Sequence, residues 1–452
     1  MKVGFISLGC SKNLVDTEIA IGILKNHNME IVNNPEEAEM IIVNTCGFID
    51  PAKEEAINTI LEMVEYKNKK CKYLVAMGCL VQRYTEDLKK AIPEVDLWIR
   101  LDSYERFWSQ IEDLINGKEQ EITISKIETN AYTKDALPLP SKEEFFERTL
   151  TTGNNFAYLK IGEGCSNRCT YCAIPYIRGP FVSRPMEDII EEAKLLAKKG
   201  IKELIVIAQD TTKYGLDLYQ KPMLAKVLKE ICKIDGIEWV RFLYSYPEGI
   251  TDELIEVVKN EPKICKYFDI PIQHISNSVL KRMNRKTTKE NIKDVINKIR
   301  TNIPEVTIRT TVMVGFPGET KEDFEELYDF VKETKFDKLG AFTYSKEEGT
   351  PAARLKEQIH PLTKKARYRK IMEEQQKVSE NNLKQIIGKE IKVLVEDKTF
   401  DEKYYIARSQ NEVPDIDGLI YIKNSKDVEL GTFIKCTIID SREYDLIAEI
   451  RN

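Results

Sequence analysis

The run Cys165-Ser166-Asn167-Arg168-Cys169-Thr170-Tyr171-Cys172 places three thiols within eight residues, just after Gly162 and Gly164. Ten cysteines in 452 residues are too sparse for a disulfide scaffold, and in a reducing compartment they remain thiols free to bind metal. A structural zinc needs four closed ligands, and no fourth cysteine or histidine lies near this run. Three cysteines on a four-iron cluster leave one iron open. Such an iron can chelate a small molecule, and the cluster can donate single electrons. Inert core thiols are the bland alternative.

A second set is dispersed. Cys10, Cys46 and Cys79 each sit beside a glycine (Gly9, Gly47, Gly78), at the end of a short apolar run: Val3 to Leu8, Met40 to Val43, Tyr73 to Met77. Helix-like segments near 13–27, 51–65 and 82–91 follow. Alternating strands and helices imply a parallel sheet, whose ligands gather at the carboxyl ends of the strands. The positive helix N-termini there suit an anionic cluster. Taken singly, each of these cysteines also reads as a buried thiol. Cys71, Cys232, Cys265 and Cys436 lack glycine neighbours and common placement, and read as structural thiols.

The elements that must position these residues suggest about three domains, at roughly 150 residues each. With 42% hydrophobic and 31% charged residues the composition is that of a globular protein. We expect an α/β fold: an N-terminal parallel-sheet domain (1–117), a linker (118–154), a partial (βα)6 barrel with a connecting helix (155–385), and a small antiparallel β-barrel (386–452). The linker is polar and carries Pro138, Pro140 and Thr151-Thr152-Gly153-Asn154-Asn155. Barrel strands are expected at 157–161, 202–208, 239–244, 266–271, 306–314 and 338–344, and the connecting helix from Pro361 to Gly388. Five short β-rich runs close the chain, about the count of a small nucleic-acid-binding barrel. The balance of 68 basic and 74 acidic residues leaves no bulk positive field for a polyanion. Met1 to Ser7 runs straight into Gly9-Cys10 with no leader-like core, and the apolar runs fall short of the ~20 residues a bilayer requires. A cytoplasmic location is expected.

The CxxxCxxC loop, with Tyr171 before its last cysteine, resembles the radical S-adenosylmethionine superfamily. The resemblance implies that the open iron holds the amino and carboxylate groups of the cofactor. Reductive cleavage would then yield a 5′-deoxyadenosyl radical, with Tyr171 near the adenine. Gly315, in Thr310-Thr311-Val312-Met313-Val314-Gly315-Phe316-Pro317-Gly318-Glu319, would let backbone approach the adenine; a plain strand-to-helix turn would look the same. Gln209, Gln273 and His274 sit at barrel strand ends, where ligands collect, and ordinary packing explains each equally well. Lys160, Arg178 and Arg184 would neutralise cluster or cofactor charge, or simply face solvent. Gly162-Glu163-Gly164 lacks the rest of a dinucleotide fingerprint.

With the N-terminal triad and the C-terminal barrel, essentially the whole chain is similar to the methylthiotransferase family. That implies two 4Fe-4S clusters, one on Cys10, Cys46 and Cys79 carrying sulfur, and the other on Cys165, Cys169 and Cys172. One S-adenosylmethionine would methylate the sulfur, and a second would supply the radical that activates an unreactive C–H bond. The clusters and cofactor would carry the chemistry, so no side chain is assigned as catalytic; the only histidines are His27, His274 and His360. The two cysteine sets should face each other across a domain junction.

Cys10-Ser11-Lys12-Asn13-Leu14-Val15-Asp16, the stretch Ala208 to Gly215 and the stretch Tyr344 to Ala352 resemble the protein-modifying branch. Serine is commoner in the family where this chain has Gly162. The branch modifies the β-carbon of an aspartate in small-subunit ribosomal protein twelve, and an electron donor is implied as a further partner. Residues 389–452 hold ten basic and fourteen acidic residues, which opposes RNA phosphates and favours a basic protein partner. Direct RNA binding is therefore not expected. A solvated acidic surface is the plain alternative. The rival functions are a transfer RNA methylthiotransferase and a non-catalytic iron–sulfur or zinc ribosome-binding factor.

Overall fold

The structure is a computed structural model and describes residues 1–118, 136–153, 155–423 and 427–450. Of the expected linker, residues 119–135 and Asn154 lie outside the described residues.

The N-terminal unit alternates β1 (Lys2–Ser7), α1 (Ser11–Asn26), β2 (Glu30–Val32), β3 (Met40–Thr45), α2 (Asp50–Val64), β4 (Tyr73–Gly78), α3 (Cys79–Ala91), β5 (Leu97–Ile99) and α4 (Phe107–Ile115). All pairings are parallel, in the order β2-β1-β3-β4-β5. Helices cover both faces, so the central strand β3 is buried along its whole length and shows no polar alternation. Edge strands β2 and β5 have three residues each, too few to stand out as apolar runs in the sequence.

Helix α1 is buried on more than its apolar side: Lys12, Asn13, Asp16, Thr17 and Glu18 are covered as well as Val15 and Ile19. It lies between the first sheet and the next unit, where Val15 and Ile19 pack with Phe156, Tyr158 and Tyr267. A helix wedged between two bodies buries its polar face too, and that face must then find partners.

After α5 (Lys142–Glu147), β6 (Phe156–Lys160) enters the central unit. The hairpin strands β7 (Gly162–Glu163) and β8 (Val182–Ser183) flank α6 (Ile174–Ile177). The unit continues through α7 (Met186–Lys198), β9 (Glu203–Ile207), α8 (Leu224–Cys232), β10 (Trp239–Phe242), α9 (Asp252–Asn260), β11 (Tyr267–Gln273), α10 (Asn277–Arg282), α11 (Lys289–Asn302), β12 (Thr307–Val314), α12 (Lys321–Thr334) and β13 (Lys338–Thr343). Its parallel strands form two three-stranded sheets, β6-β9-β10 and β11-β12-β13, joined by the single bridge Val240 to Ile264. This is the expected open barrel of six strands, whose carboxyl ends share one mouth.

Helix α13 (Pro361–Lys384) leads to β14 (Glu390–Lys398), β15 (Tyr404–Arg408), β16 (Ile420–Lys423), β17 (Phe433–Ser441) and β18 (Leu446–Glu449), a closed barrel. Its description as antiparallel needs correcting in one place: β16 and β18 pair in parallel. Alternating directions cannot close around an odd number of strands, so a five-stranded ring requires one such pair. Glu203 on β9 ties this barrel to the central one, accepting from Arg241 at 2.7 Å and Arg408 at 2.8 Å, all three being buried.

Candidate functional site

The loop carrying Cys165, Cys169 and Cys172 leaves the barrel mouth after β6. Gly164 has φ +76°, and a Cβ there would stand 2.2 Å from the Pro180 carbonyl oxygen, so only glycine lets the hairpin close over the loop. The Cys165 N–H then donates to the Gly179 carbonyl at 3.0 Å, and the Cys172 N–H to that of Cys169 at 3.1 Å. Asn167 Nδ2 anchors the turn on Asp210 at 2.7 Å. Around Cys169 Sγ stand the Tyr246 hydroxyl at 3.9 Å and Arg285 Nη1 at 4.0 Å. Burial pushes the Cys165 thiol up to about 12 and that of Cys172 well above its ordinary value. A bound metal would have to displace those protons, so binding releases them.

The other three cysteines meet at the carboxyl end of the first sheet. Cys10 precedes α1, Cys46 follows β3, and Cys79 opens α3. Their glycines are points of close approach. A Cβ on Gly9 would lie 2.8 Å from the Cys46 Cβ, and one on Gly78 2.3 Å from Asn44 Oδ1. Asn13 Nδ2 binds the strand ends together, donating to the carbonyls of Leu8 at 2.8 Å and Thr45 at 3.0 Å. Cys10 is exposed, Cys46 half-buried and Cys79 buried. Burial, opposed by the nearby Arg178 guanidinium, pushes the Cys79 thiol up to about 12.

Arg178 links the segment after the CxxxCxxC loop to the N-terminal set. It follows the Cys172 loop through α6, and its Nη2 lies 3.4 Å from Cys79 Sγ, 2.8 Å from Asp16 Oδ2 and 2.9 Å from Asn13 Oδ1. Its Nη1 donates to Glu163 Oε2 at 2.9 Å. Lys160 Nζ reaches the same two acids, Asp16 at 2.6 Å and Glu163 at 2.9 Å. Burial works against the ionised Glu163, but Arg178 and Lys160 hold its carboxyl well below the usual range. The solvent-facing reading of Lys160, Arg178 and Arg184 is thus corrected: all three are buried, and Arg184 pairs with Glu192 at 2.6 Å. Asp16, which Lys160 and Arg178 share, lies 144 and 162 positions away in the chain, so no local sequence signal identifies that burial.

Among the residues expected near the cofactor, Tyr171 sets its ring edgewise to Phe316, centroids 6.4 Å apart, beside Gly315. At Gly315 (φ +73°) a Cβ would stand 2.3 Å from Lys364 Cγ, so packing of α13 itself accounts for that glycine. Gln209 donates to Glu163 Oε1 at 2.5 Å, while its own Oε1 is buried without a partner among the described residues. Gln273 ends β11 at φ +67°, where the register with β12 shifts. His274 Nε2 likewise makes no hydrogen bond among the described residues, standing 3.9 Å from Glu319 Oε2, and burial pulls this imidazole down to about 3. Cys71, Cys232, Cys265 and Cys436 are buried singly, as expected.

Among the described residues no three Cys, His, Asp or Glu side chains converge as around one metal ion. Each thiolate of a cluster site ligates a different iron, so such convergence is not what a cluster requires. The donor set fits a cluster: three soft sulfur ligands in each group, with buried cations beside Cys79 and Cys169.

Three family models match the chain: "Uncharacterized protein family UPF0004" over residues 2–100, "Radical SAM superfamily" over 159–331, and "TRAM domain" over 387–450. The ribosomal protein uS12 methylthiotransferase RimO of Alkaliphilus oremlandii is 59% identical, covering 100% of this chain and 99% of its own. Its namesake from Caldicellulosiruptor saccharolyticus is 50% identical, with 100% of both chains covered. Among solved structures, the radical S-adenosylmethionine methyltransferase TsrM of Kitasatospora setae, with cobalamin and a [4Fe-4S] cluster bound, superposes with a TM-score of 0.57. It is 12% identical and covers 78% of this chain and 76% of its own, a likeness of fold alone. With full-length identity at this level, the chain belongs to the RimO family of methylthiotransferases within the radical SAM superfamily.

Proposed function

We propose that this enzyme adds a methylthio group to the β-carbon of an aspartate in ribosomal protein uS12, with Cys165, Cys169 and Cys172 holding one 4Fe-4S cluster and Cys10, Cys46 and Cys79 the other. The observation that supports this reading is Arg178, which follows the CxxxCxxC loop in the chain and reaches Cys79 of the other set at 3.4 Å while pairing with Glu163. When bound, the clusters and S-adenosylmethionine supply the radical and the sulfur.

The chain's own residues hold and insulate. Asp16, Lys160, Glu163 and Arg178 fix the domains against each other at the junction and keep water from it. The orphaned Gln209 Oε1 needs a hydrogen-bond donor, which the cofactor's ammonium or ribose hydroxyls would provide. Tyr171, Gln273 and Gly315 complete the cofactor side of the mouth in this reading. The domain division into 1–117, 118–154, 155–385 and 386–452 belongs to the same proposal. An electron donor and a cytoplasmic setting, where ribosomal proteins are met, complete it. No described helix is long and apolar enough to cross a membrane.

Reconstituted enzyme should be incubated with reductant, S-adenosylmethionine and either uS12 or transfer RNA, and the products weighed. A methylthio mass gain on uS12 alone is expected. Modified RNA with unmodified protein would reverse the substrate assignment, and no 5′-deoxyadenosine in any arm would favour a binding factor without turnover.

A further inference from the structure

The signature Cys10-Ser11-Lys12-Asn13 contains a buried cation that the fold leaves unanswered. Lys12 is 6% exposed. Among the described residues its ammonium has no ion pair and no hydrogen bond; it lies 3.0 Å from the centroid of the Tyr244 ring. The other buried cations at this junction are answered: Lys160, Arg178 and Arg184 each meet a carboxylate within 3.0 Å, and Arg285, which has no ion pair among the described residues, donates to the Pro271 carbonyl at 2.7 Å. The first turn of α1 carries no acidic residue and no side-chain cap, and the adjacent Ser11 Oγ is also buried without a partner among the described residues. A desolvated ammonium above the uncapped start of a helix costs free energy unless an anion joins it.

The surroundings are built to hold Lys12 there. Tyr244 stands at φ +60°, a strained conformation for an aromatic residue. It is kept so by donating its N–H to Asp269 at 2.9 Å and accepting from the Thr211 N–H at 3.1 Å. The ring forms a floor for the ammonium, an attraction of cation and π-face. The place is also tied along the chain to both cysteine sets. Lys12 is two residues from Cys10, and Tyr244 is two residues from Tyr246, whose hydroxyl is 3.9 Å from Cys169 Sγ.

We propose that Lys12 determines specificity by receiving the side-chain carboxylate of the target aspartate, with Ser11 as a second donor. The inference rests on the substrate reading above. The carboxyl carbon is bonded directly to the β-carbon, so gripping one fixes the other. An RNA base offers no carboxylate, and asparagine no charge, so the same contact excludes both.

The test is a binding cycle with reconstituted enzyme and fluorescently labelled uS12, native or with its target aspartate changed to asparagine. Lys12→Met should weaken binding of native uS12 on the order of ten- to a hundredfold, the range for a charge-assisted contact. It should leave binding of the asparagine form unchanged, and wild-type enzyme should show the same loss between the two uS12 forms. Lys12→Arg should recover part of the affinity. Equal weakening of both uS12 forms by Lys12→Met, or wild-type enzyme binding both forms alike, would overturn the assignment. If wild-type enzyme binds neither form, the substrate reading itself fails and this inference with it.

Discussion

Replacing Arg178 with methionine changes a countable balance of buried charge. In the native junction two cations, Lys160 and Arg178, face two carboxylates, Asp16 and Glu163, at 2.6 to 2.9 Å. Arg178→Met leaves two carboxylates on one lysine, an uncompensated buried charge that costs about 3–5 kcal/mol. Glu163→Gln leaves two cations on one carboxylate and should cost a comparable amount. The double variant restores one cation and one anion, Lys160 and Asp16, so its loss should fall well below the sum of the two single losses. Urea unfolding followed by tryptophan fluorescence measures all four proteins. Additivity within about 0.5 kcal/mol would refute the charge balance, because groups sharing one network couple more strongly than that. In the reconstituted proteins Arg178→Met should also move the potential of the cluster on the Cys79 side to more negative values, since a cation beside a ligand sulfur favours the reduced form.

Changing Cys10, Cys46 and Cys79 together to alanine should remove about half the bound iron while leaving reductive cleavage of S-adenosylmethionine, because the clusters are held by separate thiolates; iron analysis and 5′-deoxyadenosine release decide it, and undiminished iron refutes the second site. Glu203, buried against Arg408 and Arg241, has its carboxyl held below its ordinary 4.5 despite the opposing effect of burial. Its contribution to stability is therefore complete above 4.5 and disappears as the pH falls through the lowered value. Glu203→Gln should cost about 3–5 kcal/mol at neutral pH, and the gap in melting temperature from wild type should narrow in acid; a gap constant from pH 7 downward through the acid limb would refute the pairing.

Much of the architecture is written in short-range pattern. Apolar runs ending in glycine and cysteine mark β1, β3 and β4. Six further runs mark the open barrel, and five the closed one, because a strand buried in a sheet needs a continuous or alternating apolar stretch of its own. The three-residue strands β2 and β5 escape that logic, having too few side chains to form a pattern. The parallel β16–β18 pair follows from ring closure rather than from either strand's residues.

The spacing of Cys165, Cys169 and Cys172 determines by itself that these thiols share one loop, and the glycines beside Cys10, Cys46 and Cys79 mark three equivalent strand ends. What surrounds them was decided only by the tertiary structure. Arg178 and Lys160 look like ordinary charged residues until Asp16, 162 and 144 positions away, is folded against them. Lys12 looks like a solvated helix residue until Tyr244 is brought beneath it. Secondary structure depends on neighbours within a few residues, whereas the burial of a charge, and hence the need for a partner, depends on which remote surface closes over it.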